Sequence, residues 1–114
     1  IITDLRSAVE GLPEKPDNKG RASCFSAAHL LSKVYLTRGS AVKEARGQQS
    51  TDIDSTLFYA EKVINSGMYQ LQDNFASLWD LSNQGNSEVV FSVQFTTNPI
   101  FNDNGNKQHL YWME

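Results

Sequence analysis

The chain has 114 residues, 39% of them hydrophobic and 20% charged, with a formal net charge of −3. That length accommodates one domain with a modest core, and the acidic balance gives no clustered basic footprint for a nucleic acid. No apolar run approaches the roughly 20 residues of a membrane span, and the lone Cys24 excludes an intrachain disulfide or a cysteine-built metal cluster.

In chain order, Ile1, Leu5, Ala8, Val9 and Leu12 recur at helical spacing and predict a short helix that Gly11 and Pro13 end. Pro13 to Lys19 has the composition of an exposed connection. Arg21 to Arg38 is the strongest helical segment. Its predicted stripe is Cys24, Ala27, Ala28, Leu31, Val34 and Tyr35, widened by Leu30. Cys24, among small apolar neighbours, reads as a buried hydrophobe rather than a reactive thiol. Arg38 and Gly39 supply a C-terminal charge and a cap.

Ser40 to Ser50 reads as a polar loop with room for a helical turn at Val42 to Arg46. Thr51 and Asp54 match the start signal of a helix reaching about Ser66, with Ile53, Leu57, Ala60, Val63 and Ile64 on its buried face. Asp52 and Asp54 flank that start, and capping is the role their position favours. At the other end Gly67 can adopt the positive φ of a cap, with Met68 or Tyr69 folding back on Val63 and Ile64. Phe75, Leu78, Trp79 and Leu81 predict a further short helical piece, with Trp79 at core spacing.

Asn83 to Ser87 interrupts that piece. Glu88 to Phe95 then alternates Val89, Phe91, Val93 and Phe95 against Glu88, Val90, Ser92 and Gln94, the period of a strand. Residues 96–108 are Asn- and Gly-rich loop. Helices first and one extended segment last predict a mainly α fold, with antiparallel helix pairs and a short extended or β segment near the C-terminus. The first residues are already amphipathic, with no charged-then-apolar leader, and Tyr111-Trp112-Met113-Glu114 carries no cap. The expectation is one fragment of a longer protein, residues 1–82 forming helical scaffold and 83–114 opening a loop-rich part.

Ala28, Leu31, Ser32 and Tyr35 fall on the spacing of a tetratricopeptide first helix, although the next helix comes too late for that repeat's tight turn. A larger set of residues carries a more specific resemblance. Gly20-Arg21-Ala22-Ser23 followed by Ala27-Ala28-His29-Leu30-Leu31-Ser32-Lys33-Val34-Tyr35-Leu36 resembles the "GRAT…AALALLAKVYL" helix of the SusD/RagB family. Tyr59 to Gly67 with Tyr69 and Leu71, then Phe75, Leu78 and Trp79, then Glu88 to Phe95, resemble that family's succession "A…VI.SG.Y.L…Y..LF……NEVIFSIQF". Departures are Ser32 where Ala is usual and a somewhat long Ser40 to Ser50 insertion.

The resemblance implies a non-catalytic oligosaccharide-binding lipoprotein of the outer-membrane surface that feeds a TonB-dependent, SusC-like transporter. It implies tetratricopeptide-like helix pairs as scaffold, with sugar contacts in a loop-rich part, no cofactor and no nucleic acid. The family's lipid-bearing cysteine lies near its N-terminus, so Cys24 does not match it. The alternative function is a tetratricopeptide-like module that grips partner proteins.

Site residues are sparse. His29 and His109 stand eighty residues apart with few supporting ligands, and no paired catalytic groups appear. Setting Gly105 of Asn102-Asp103-Asn104-Gly105 at the sixth position of a calcium loop puts Ile100 and Tyr111 where carboxylates are needed. A sugar site needs an exposed aromatic face and polar side chains for the hydroxyls. Tyr111 and Trp112, beyond a polar loop, are the aromatics poised for that role. Uncovered apolar helix faces in such a fragment also predict self-association.

Overall fold

The structure, a computed structural model, describes residues 1–18, 20–42 and 46–94. Three helices carry it: α1 (Ile2–Gly11), α2 (Cys24–Gly39) and α3 (Asp52–Ile64). Two short 3-10 segments, Phe75–Trp79 and Leu81–Asn83, follow. The fold is mainly α, and there is no strand among the described residues.

The stripe of α1 meets the core as its spacing requires: Val9 is buried, and Ile2, Leu5, Ala8 and Leu12 pack around it. Ile1 is the exception, standing exposed with its amino group 3.0 Å from Asp4. Leu12 precedes Pro13 and takes the extended conformation that a following proline imposes, which ends the helix.

α2 starts three residues later than its composition suggests. Ser23 is the N-cap, accepting from the backbone N–H of Ser26 at 3.1 Å while its own N–H donates to Ser26 Oγ at 2.8 Å. This reciprocal box stops the helix from extending back to Arg21. Cys24 N–H donates to the carbonyl of Pro13 at 3.0 Å, tying the start of α2 to the end of α1. Cys24, Ala27, Ala28, Leu31 and Tyr35 are buried as expected, and Phe25 and Ser32 join them. Leu30 does not widen the stripe but stands exposed, and Val34 is half-buried.

Both helix pairs run antiparallel. Arg6 of α1 lies over the Tyr35 ring while Pro13 meets Cys24, so the ends of α1 and α2 are opposed. Likewise Arg38, at the end of α2, pairs with Asp52 at the start of α3. Tyr35 stacks on Tyr59 with centroids 5.9 Å apart and planes 5° from parallel. Gly39 is not a cap. It is the last residue of α2, and a Cβ there would come within 2.8 Å of Asp52 Cβ. The missing side chain lets α3 approach.

The buried face of α3 differs from the expected one. Thr51 occupies the N-cap without a side-chain hydrogen bond, and Asp52, Tyr59 and Val63 turn toward α2. Ile53, Leu57 and Ile64 point outward. The core face is turned by roughly one residue, about 100° of helix rotation, from the most hydrophobic stripe. The reason is the Arg38–Asp52 pair, which fixes Asp52 inward at the first turn. The helix closes at Ile64, Asn65 is its C-cap, and Gly67 takes φ +68°. Tyr69 then folds back as expected, but its ring partner is Phe25, edge-on at 6.1 Å, while Met68 and Ile64 remain exposed.

Residues 70–72 are tied to 87–88. Gln70 N–H donates to Ser87 O at 3.0 Å, Ser87 Oγ donates back to Gln70 O, and Gln72 N–H reaches Glu88 Oε2. This contact takes the place of the expected strand from Glu88. Glu88 lies in a turn with its N–H on Asn86 Oδ1, and residues 89–94 find no neighbouring ladder among the described residues. An alternating pattern supplies a face, but a strand needs a partner for its backbone groups. Phe95 and the 96–108 loop lie outside the described residues, as does most of the possible turn at Val42 to Arg46.

Candidate functional site

Tyr111, Trp112, His109 and the Asn102–Gly105 stretch lie outside the described residues. His29 stands exposed on α2, and no group of three His, Cys, Asp or Glu side chains gathers in metal-holding geometry among the described residues. Cys24 is buried, and burial, assisted by the charge of Glu14, pushes its thiol pKa up. A thiol so placed is a poor nucleophile.

Asp52 corrects its expected capping role. Its side chain is fully buried and accepts a two-pronged contact from Arg38, Nε to Oδ2 at 3.0 Å and Nη2 to Oδ1 at 2.5 Å. Gln49 N–H adds a bond of 2.9 Å. The Arg38 guanidinium, with this backbone donor, holds the Asp52 carboxyl below the usual carboxylate range despite burial. Arg38 also lies 5.4 Å from the Tyr35 centroid. The cluster joins α2 to α3, and its chemistry is that of a brace; Arg38 also borders a hollow of about 470 Å³ with Leu30, Lys33, Val34 and Thr37.

The exposed aromatics are elsewhere. Trp79, expected in the core, is 74% exposed, and Phe75 is 73% exposed. Core spacing misled because this segment is two 3-10 turns, whose three-residue period rotates side chains away from the α-helical positions. The rings meet edge to face at 6.0 Å. Asn74 caps the first turn through Ala76 N–H and Asp80 caps the second through Ser82 N–H. Asn83 Nδ2 closes the unit by donating to Ser77 O at 3.0 Å.

Further hollows mark the surface of the described residues. One of about 330 Å³ lies between the 14–21 connection and residues 89–94, with Asp17, Arg21, Tyr69 and Phe91 in its wall. A larger, more apolar one of about 680 Å³ lies among Leu5, Ala8, Ala27, Leu30 and Val89–Phe91. A small one of about 220 Å³ opens beside Leu78, lined by Gln84, Asn86, Ser92 and Gln94. Ser26, His29 and Glu88 share the wall of the larger hollow, but Ser26 Oγ is engaged in the α2 capping box, accepting from Ser23 N–H and donating to Ser23 O.

The chain is 34% identical over 95 residues to a SusD-like protein of Bacteroides ovatus. It is 30% identical over 96 residues to SusD-like protein P2 of Formosa agariphila. Each alignment covers 83% of this chain but 17% of the relative, so the chain spans about a sixth of the length of the proteins it matches. No protein-family model matches the chain, and no solved structure matches it significantly. None of the helices among the described residues is long and apolar enough to cross a membrane.

Proposed function

The chain is homologous to SusD-like proteins over most of its length, and from that premise we propose that it is helical scaffold in a non-catalytic, glycan-binding nutrient-capture protein. The observation that carries this reading is the 34% identity sustained over 83% of the chain. The antiparallel α1–α2 and α2–α3 pairs agree with a tetratricopeptide-like support.

In this proposal the assembled protein is a surface lipoprotein of the outer membrane, its anchor outside these residues, and it passes oligosaccharide to a TonB-dependent, SusC-like transporter. Tyr111 and Trp112 are proposed glycan contacts, as flat apolar faces of low entropic cost. Calorimetric titration of the longest polypeptide carrying this sequence, against a panel of oligosaccharides, tests the reading. Saturable heat with at least one sugar, and no shorter products on chromatography, is expected. No binding across the panel, or cleavage of the sugar, overturns it. The 114 residues alone are expected to bind sugar weakly or not at all.

A second reading, a protein-interaction module, draws on the uncovered α3 stripe of Ile53, Leu57 and Ile64. Copurification of a SusC-like transporter that depends on Leu57 would favour it.

A further inference from the structure

The outward side of α3 has the form of a helix-packing seam. Ile53, Leu57, Ala60 and Ile64 follow one another at steps of four, three and four residues, the heptad spacing of a helix that packs on another element. Ile53, Leu57 and Ile64 are exposed, and Ala60 is half-buried. Asp54 and Glu61, seven positions apart, run along one edge of this stripe, and neither has an ion partner among the described residues. The opposite edge carries Val63, which is buried in the core.

These two edges rule out pairing of the stripe with its own copy. Set antiparallel about a two-fold axis, two stripes bring equal edges together, so the carboxylates of Asp54 and Glu61 would meet their own kind. Set parallel, each acidic edge would face the Val63 edge of the other copy, which the core already covers. The stripe needs a counterpart of another kind, apolar along its floor and cationic at its rim.

α2 presents such a counterpart. Leu30, Val34 and Thr37 line the hollow of about 470 Å³, with Lys33 and Arg46 exposed in its wall. Arg38 lies there too, but its guanidinium is held by Asp52. Leu30 and Lys33 also border the hollow of about 680 Å³, so the apolar floor continues toward Leu5 and Ala8 of α1. The hollow of α2 and the stripe of α3 share no residue, so every copy carries both halves of a contact. We infer that the chain associates heterologously with itself: the α3 stripe of one copy seats in the α2 hollow of a second, with Asp54 and Glu61 facing Lys33 and Arg46. Covering the aliphatic side chains drives the contact. Exposed ion pairs add little affinity and select which faces meet.

The test uses the 114-residue chain and two variants that each spoil one half of the contact. Leu57→Lys sets a cation against Lys33, and Leu30→Glu sets a carboxylate against Asp54 and Glu61. Both leucines are exposed, so both variants keep the far-ultraviolet circular dichroism of the parent. Should either spectrum change, Ile64→Lys and Thr37→Glu take their places. In sedimentation equilibrium the average mass of the parent rises with concentration, and each variant alone associates about tenfold more weakly or less. An equimolar mixture of the two forms a one-to-one complex, because the intact stripe of Leu30→Glu fits the intact hollow of Leu57→Lys. A mixture that stays as dissociated as its components overturns the inference. So does a Leu30→Glu variant that associates like the parent, which would put the stripe against another surface. A parent that is monomeric at every concentration overturns it as well.

Discussion

Two glycines with the same side chain do opposite work. Gly39 has no Cβ because α3 crosses where one would sit, 2.8 Å from Asp52 Cβ and 3.2 Å from Ile53 Cδ1. Asp52 cannot retreat, since Arg38 and Gln49 hold its carboxylate. Alanine gains about 1 kcal/mol in helix propensity, but overpacking costs about 1–3 kcal/mol. Gly39→Ala is therefore expected to lower stability in urea unfolding, whereas Gly11→Ala, with nothing within 4 Å, leaves it unchanged or raises it. Gly67 is needed for conformation alone: its φ is +68° and its surroundings are open. Gly67→Val should cost about 1–2 kcal/mol, while Gly67→Asn, tolerated in the left-handed region, costs much less. Equal melting points for all three proteins would refute the cap. Asp52 adds a pH dependence. Its carboxyl is held below the unfolded value of about 4, so its stabilisation is complete above that value and is lost as pH falls through the lower folded one. Asp52→Asn is expected to be less stable than the parent at neutral pH. The gap closes as pH falls through the lowered folded value, and a gap independent of pH would place the effect in packing instead.

At the scale of elements, periodicity located all three helices but not the roll of each. The α2 stripe was readable because Cys24, Ala27, Ala28, Leu31 and Tyr35 combine small and large residues that close packing requires. Phe25 was missed because its partner, Tyr69, lies forty-four positions on, past the Gly67 turn. On α3 the most hydrophobic stripe faces outward, and one buried ion pair sets the inward side. Hydrophobic patterning cannot foresee this, because it scores Asp52 as surface. The structure accordingly separates two leucines of equal hydrophobicity. Leu31, fully buried, should lose about 2–5 kcal/mol on replacement by alanine. Leu57, 55% exposed, should change stability by less than about 0.5 kcal/mol when replaced by lysine. Guanidinium unfolding of both variants decides the register of α3: comparable losses would mean that the two faces have been exchanged.

For the molecule as a whole, the sugar-binding reading comes from homology, while the described residues supply a brace, a core and two uncovered apolar surfaces. Of the candidate site only the kind of residue was legible, since Tyr111 and Trp112 lie outside the described residues. Core spacing concealed that Phe75 and Trp79 stand exposed, because their segment is 3-10 rather than α. The α3 stripe has a different consequence for the chain. Ile53, Leu57, Phe58 and Ile64 are all exposed along one helix, and Leu30 and Leu36 are exposed on α2. Apolar area left in water favours association, by roughly 25 cal/mol per Å² covered. Sedimentation equilibrium should therefore show an average mass that rises with protein concentration. Because the driving surface is aliphatic, the association should persist in about 1 M salt, where the Debye length is about 3 Å and exposed ion pairs are screened. Leu57→Lys should abolish or strongly reduce it while leaving the far-ultraviolet circular dichroism intact. A chain that stays monomeric at every concentration would show that this stripe is too small or too divided to bind a second copy. An association that salt dissolves would transfer the contact to the charged residues of the surface.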